Sequence, residues 1–199
     1  GGGFGLNNHK SDDMLKAIFK SQYFKSVIVT QQITQDYLIN RGLCSCDKIN
    51  YIYGGFVQFN KKDVLQKQYY PKNKSTFDIC FVAAKYSDRG IDKGYDLFIE
   101  AAKSIALKCN DARFHVIGGF KRDDIDISTI REKIKFYGYK EPNFQNIFYS
   151  KMDAFISPNR PFQLYSGNFD GFPLGIDAGY CGVALFVTDE LSMNRYYND

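Results

Sequence analysis

Asn168-Phe-Asp-Gly-Phe-Pro-Leu-Gly-Ile-Asp-Ala-Gly179 stands between two short apolar runs, Ala154-Phe-Ile-Ser-Pro158 and Ala184-Leu-Phe-Val-Thr188. Both runs are continuous rather than alternating, the pattern of strands buried on both faces. Between them a carboxylate, Asp170, opens a Gly-rich turn that runs into an apolar helix start. A second carboxylate, Asp177, follows seven residues later. At about 100° per residue, seven steps return a helical side chain to nearly the same face. Only the second half reads as helix, so Asp170 is expected on the loop and Asp177 on the first helical turn. The backbone N–H groups between them lack helical partners and can take phosphate oxygens. Two hydroxyl-reading acids around a phosphate-reading turn suit a sugar carried on a nucleotide.

The same alternation extends upstream. Strands are expected at residues 77–84, 113–118, 134–139, 153–157 and 184–188, with helices at 93–108, 127–133, 143–151 and 174–181 between them. Helix-length crossovers between doubly buried strands require a parallel sheet covered on both faces, with ligands at the strands' carboxyl ends. The Gly- and Pro-punctuated loops fall at that end. The fold class is therefore α/β, a Rossmann-like doubly wound parallel sheet, with a partial second α/β segment ahead of it. That earlier segment carries helical spacing over 12–22 after Ser11, a short strand at 26–30, a helix at 31–41 closed by Gly42, and a strand at 49–53 stopped by Gly54-Gly55. A polar stretch follows, least structured at Pro71-Lys-Asn-Lys-Ser75. The expected division is residues 1–56, a linker at 57–76, and a main domain at 77–199.

Composition excludes several classes. The chain has 199 residues, 44% hydrophobic and 17% aromatic, enough for a core of ordinary size. Net charge is +4 without a block of like charges, and no basic stripe interleaves with aromatics as nucleic-acid binding requires. A mild basic excess fits anionic diphosphates or peripheral association with a bilayer surface. No run approaches 18 apolar residues, and a soluble protein is expected. The five cysteines, Cys44, Cys46, Cys80, Cys109 and Cys181, lack zinc spacing and read as reduced cytosolic thiols. Asp124-Ile-Asp126 spells a D-x-D, but its place ahead of a helix suits an ordinary N-cap, and no metal is expected. His115 alternates within an apolar strand as a core histidine, and His9 lies in an irregular start; neither forms a catalytic pair.

Several pieces now come together in order. Phe81-Val-Ala-Ala-Lys85, then Asp92-Lys-Gly-Tyr95, resembles the first strand and "KG" helix start of the family 4 (group 1) glycosyltransferases. Val116-Ile-Gly-Gly119 and Ile134-Lys-Phe-Tyr-Gly138 are similar to that family's second and third strand turns. Asp153-Ala-Phe-Ile-Ser-Pro158 matches its "D-x-F-x-x-P" strand, and Asp170-Gly-Phe-Pro173 through Gly182 resembles its "EGFP…EA…G" motif. The spacing here is seven with Asp at both ends, where the family has eight with Glu, and the "GG" after "TD" is missing at Asp189. The resemblance implies a C-terminal nucleotide-sugar-binding domain of GT-B architecture, with the first 56 residues a remnant of the acceptor-side domain.

By that resemblance Asp170 faces the transferred sugar and Asp177 the ribose hydroxyls. Lys93 and one of Lys85 and Arg89 neutralise the diphosphate. Gly118, Gly119 and Gly138 allow close backbone approach, and Gly171, Phe172, Pro173 and Leu174 form the phosphate-reading turn. The resemblance further implies a hexosyl transfer with retention, no required metal or cofactor, and a glycan, lipid or protein acceptor held mainly by the other half. It also implies work in the cytoplasm, at the inner face of the membrane, and inactivity for this piece alone. A sugar-nucleotide epimerase or a non-catalytic scaffold of the same fold are the rival readings.

Overall fold

The structure, a computed structural model, describes residues 8–52, 64–161 and 175–190. These fall into two compact units, one holding 8–52, 161 and 189–190, the other 64–160 and 175–188.

In the first unit, α1 (His9–Phe19) is followed by β1 (Val27–Val29), α2 (Gln32–Asn40), a 3-10 turn (Cys46–Lys48) and β2 (Ile49–Tyr51). The first helix begins earlier than its apolar spacing suggests. Asn8, not Ser11, is the cap, and its side chain accepts the Lys10 N–H at 3.0 Å. β1 and β2 pair in parallel over a small core of Leu15, Val29, Leu38, Leu43 and Ile49. The Tyr37 hydroxyl ties α2 to α1 through Asp12 at 2.8 Å.

The second unit is built on β3 (Phe77–Val82), α3 (Tyr95–Lys108), β4 (Ala112–Ile117), β5 (Ile134–Phe136), α4 (Pro142–Tyr149), β6 (Ala154–Ser157), α5 (Ile176–Tyr180) and β7 (Ala184–Val187). The five strands form one sheet in the order β5-β4-β3-β6-β7, and every pairing is parallel. Alternate residues of β3 serve opposite faces, as a two-residue pleat dictates. Ile79 and Phe81 join Phe98, Ile99 and Phe114 under α3, whereas Cys80 joins Phe148, Phe155 and Ala178 on the other face. Each fully buried Phe contributes about 1.5–3 kcal/mol of transfer free energy. α3 buries Tyr95, Phe98, Ile99 and Ala102, one stripe at helical spacing.

Some elements are shorter than expected. The helix expected at 127–133 is a single 3-10 turn, Ser128–Ile130. Ile127 and Ile130 are both buried there, and one turn suffices to seat them. The helix expected at 174–181 is Ile176–Tyr180, entered through Gly175 at φ 105°. Residues 64–76, part of the stretch read as a linker, pack along the second unit. The Lys67 ammonium donates to the Tyr149 carbonyl at 3.1 Å, and the Gln68 N–H to the Ser150 carbonyl at 2.9 Å.

His115 has partners that its sequence position hides. One ring nitrogen meets the Asp78 carboxylate at 2.8 Å and the other the Tyr137 hydroxyl at 2.9 Å. Asp78 also accepts from Lys74 and Thr76, both at 2.8 Å, and Lys74 reaches Asp153 at 2.5 Å. The chain of bonds joins β3, β4, the residue after β5 and the residue before β6. It is a strut rather than a catalytic pair, because both imidazole nitrogens are occupied.

Burial works against the ionised form of Asp78, but hydrogen bonds from His115, Lys74 and Thr76 outweigh it and hold the carboxyl at about 2. A depressed folded value means stability present above the unfolded value near 3.8 and lost as pH falls through about 2. That loss amounts to about 2 kcal/mol, at 1.36 kcal/mol per pH unit of difference. Denaturant unfolding measured between pH 5 and pH 2 should show it, and Asp78→Asn should flatten the acid limb by about one proton. An unchanged limb in Asp78→Asn would assign the acid sensitivity elsewhere.

Candidate functional site

The chain runs outward from β3 through β4 to β5, then returns to place β6 on the other side of β3. A parallel sheet opens a crevice at the carboxyl ends of its strands where the winding reverses, here between β3 and β6. The backbone is shaped around that point. Gly94, at φ 67°, lies so close to the β6 exit that a Cβ would stand 1.8 Å from the Pro158 carbonyl oxygen. Gly118, at φ 127°, has the Ala83 carbonyl oxygen 2.0 Å from the same position. Only glycine allows both approaches.

A cavity of about 300 Å³ occupies the crevice. Val82, Ala83 and Ala84 line it from the β3 exit, Ile117 and Gly118 from β4, Phe155 from β6, and Gly175 and Asp177 from the start of α5. Tyr139 and Lys140 follow β5, and Gln145 and Tyr149 come from α4. Lys93 closes the other side. Its residue is 4% exposed, and its ammonium lies 5.1 Å from the centre of the Tyr86 ring. Burial, with Cys80, Asp177 and Cys181 nearby, pushes the Tyr149 phenol well above its ordinary value. It therefore stays a neutral hydrogen-bond donor across the working pH range.

The structure thus brings Lys93, Gly118 and Asp177 together. Gly138 supports them from behind, its carbonyl accepting the Gly118 N–H at 3.0 Å, and Gly119 packs against the Tyr139 ring. Lys85 and Arg89 do not line this cavity. Lys85 instead pairs with Asp124 at 2.7 Å. Burial opposes the ionised form of Asp124, and bonds from Lys85 and the Lys121 N–H hold its carboxyl below the usual range. Arg89 is exposed, in a left-handed conformation at φ 55°. The second acid of the D-x-D, Asp126, accepts from the Ser128 N–H at 3.0 Å. Asp170, Gly171, Phe172, Pro173 and Leu174 lie outside the described residues.

Tyr86, Tyr139, Lys140, Gln145 and Tyr149 were not singled out by sequence. With 15 Tyr in the chain, nothing but their position after a strand or on a crossover helix distinguishes them.

The cavity offers an enclosed ammonium, a carboxylate, phenols and close backbone approach at one strand end. That set can bind an anionic diphosphate and hydrogen-bond to a diol. Among the described residues, no helix is long and apolar enough to cross a membrane.

Several solved structures share the fold. The lipopolysaccharide outer core galactosyltransferase WaaB is similar over 96% of this chain and 50% of its own, at 14% identity and a TM-score of 0.59. The pneumococcal O-GlcNAc transferase GtfA, solved with UDP and GlcNAc, is similar over 89% of this chain and 32% of its own, at 15% identity and a TM-score of 0.57. A point mutant of TarM from S. aureus, solved with fondaparinux, alpha-GlcNAc-glycerol and UDP, gives 88% and 32% at 18% identity and a TM-score of 0.57. This chain therefore spans from about a third to half of their lengths. No curated protein matches it in sequence. Residues 76–195, more than half of the chain, match the family described as Glycosyl transferases group 1. With that match over a five-stranded parallel sheet of the GT-B kind, the chain belongs to the group 1 glycosyltransferases.

Proposed function

We propose that the crevice between β3 and β6 holds a nucleoside diphosphate sugar, and that the complete protein transfers its hexosyl group to a glycan, lipid or protein acceptor. The observation that carries this reading is one cavity at the winding reversal that holds Lys93 and Asp177 together. Lys93 would neutralise the diphosphate as the glycosidic bond breaks, where a fixed cation lowers the barrier without reorganising. Asp177 would accept from the ribose hydroxyls, each carboxylate oxygen taking one. Asp170 would meet the sugar. UDP bound to GtfA and to the TarM mutant supports a nucleotide in this architecture. On this reading transfer retains configuration, needs no metal, takes place in the cytoplasm at the membrane's inner face, and requires more of the acceptor side than this chain supplies.

Titration calorimetry with UDP and with UDP-sugars tests the assignment. Asp177→Ala is expected to weaken every nucleoside diphosphate by about 1–3 kcal/mol, the range for hydrogen bonds to a charged group. Asp170→Ala should leave bare UDP nearly unchanged and remove only what the sugar adds. Equal losses with UDP would mean that the two acids have been given the wrong roles. A wild-type chain that binds no nucleotide would instead favour a scaffold, for which the seven-residue acid spacing is the sequence argument.

A further inference from the structure

The first unit holds a second cavity, of about 270 Å³, that the donor reading does not use. It lies between the C-terminal end of α1 and the turn that leads from α2 into Cys46–Lys48. Three lysines line its rim, all of them exposed: Lys16 in the last turn of α1, Lys20 at its C-cap, and Lys48 at the end of the 3-10 turn. Among the described residues no carboxylate lines it; burial raises the thiol of the lining Cys44, and the nearest acid in sequence, Asp47, adds to that rise. Lys16 has only Asp13, at 3.8 Å, with the two side chains 50% and 77% exposed, a pair of little consequence. Among the described residues, neither Lys20 nor Lys48 has an acidic partner within ion-pair distance. Elsewhere Lys74 pairs with two carboxylates and Lys85 with one, whereas Lys67 is satisfied by the Tyr149 carbonyl.

Cations at a helix C-terminus complement its dipole, which accounts for Lys16 and Lys20. It does not account for Lys48, which arrives from another element and adds a third like charge to the same hollow. The floor is aromatic. Phe19 and Phe24 are partly buried with ring centres 4.9 Å apart, and the Lys48 ammonium lies 5.7 Å from the Phe24 ring centre. Ser45 caps the 3-10 turn without a side-chain capping bond, so its hydroxyl is available to a ligand.

We propose that this cavity binds a phosphate monoester carried on a small apolar or ring-shaped body. A dianion with three terminal oxygens matches three ammonium groups, each making a charge-assisted bond. The phenylalanine floor takes the attached body. The volume lies just under the usual range for small-molecule sites, about 300–1,000 Å³, which suits a phosphorylated group rather than a whole nucleotide sugar. The phosphate could belong to a soluble compound or to a lipid headgroup. The proposal does not depend on the donor reading, since no residue is shared between the two cavities.

The test uses the full chain with phenyl phosphate, and vesicles of phosphatidylcholine with or without phosphatidic acid. Lys20→Gln/Lys48→Gln is compared with Lys10→Gln/Lys72→Gln, which removes the same charge from exposed positions outside the cavity. The first pair should weaken phenyl phosphate about tenfold or more, the scale of one to two charge-assisted bonds; the second should not. In the wild type, phenyl phosphate should shift the amide resonances of residues 42–48, a readout that needs no variant. Sedimentation with phosphatidic acid vesicles, lost only in the first pair, would identify a headgroup. Phenyl phosphate binding without sedimentation would identify a soluble ligand. Equal losses in both pairs, or no shift at residues 42–48, would overturn the proposal.

Discussion

Gly94→Ala is expected to lower stability by about 3–5 kcal/mol, most of what a domain of this size has to lose. Two costs combine. Gly94 sits at φ 67° and ψ 28°, a left-handed conformation in which a side chain costs about 1–2 kcal/mol. The new Cβ would also stand 1.8 Å from the Pro158 carbonyl oxygen and 2.6 Å from its carbon. Neither atom can yield easily. The Asn159 carbonyl accepts from the Thr188 hydroxyl at 2.5 Å, and the Arg160 N–H donates to the Asp92 carbonyl at 3.1 Å, so the β6 exit is held on both sides. Gly138→Ala is the control. Its φ is 69°, nearly the same, but nothing lies within 4 Å of the added carbon, so only the conformational cost should appear. Thermal unfolding of the two variants separates the terms. Equal shifts would mean that the β6 exit does not rest on Gly94, and the crevice would lose its rear wall.

The sheet was readable because its strands are unbroken apolar runs separated by crossovers long enough for a helix. Parallel pairing then follows from geometry, since strands so connected cannot form hairpins. The helix ends were less readable. Apolar spacing continues past the point where Gly94 or Gly175 turns the chain, so predicted helices run long. In the site, the glycines did most of the signalling: Lys93 and Asp177, which line one cavity, each stand beside a Gly-punctuated turn. Lys85 shows the limit. Its place in the loop was plain, but the side to which it points depends on how the chain leaves β3, and Asp124, its partner, is 39 residues away. His115 and Asp78 are 37 residues apart, and no local pattern announces their bond. Periodicity reveals which face a residue occupies; it does not reveal which polar groups meet across neighbouring strands.

In the complete enzyme, Lys93→Gln is expected to reduce kcat about 10²–10³-fold, the scale for removing one fixed donor from a site of developing charge. The effect should be large because this ammonium is enclosed. A charge held away from water interacts more strongly with a departing diphosphate than an exposed one does. Glutamine keeps most of the side chain's volume, so the loss would report charge rather than packing. Lys93→Arg should recover only part of the rate, because a larger guanidinium with delocalised charge replaces a compact ammonium at a residue only 4% exposed. The discriminating control is Lys85→Gln. Its ammonium is bound to Asp124 outside the cavity, so its removal should lower thermal stability while leaving kcat within about threefold, less than 1 kcal/mol of barrier. UDP affinity measured in the same variants should fall about tenfold or more for Lys93→Gln and change little for Lys85→Gln. A rate loss in Lys85→Gln as large as in Lys93→Gln would place the leaving-group cation on the β3 exit rather than at the start of α3. The enclosed lysine would then be no more than a support for Tyr86.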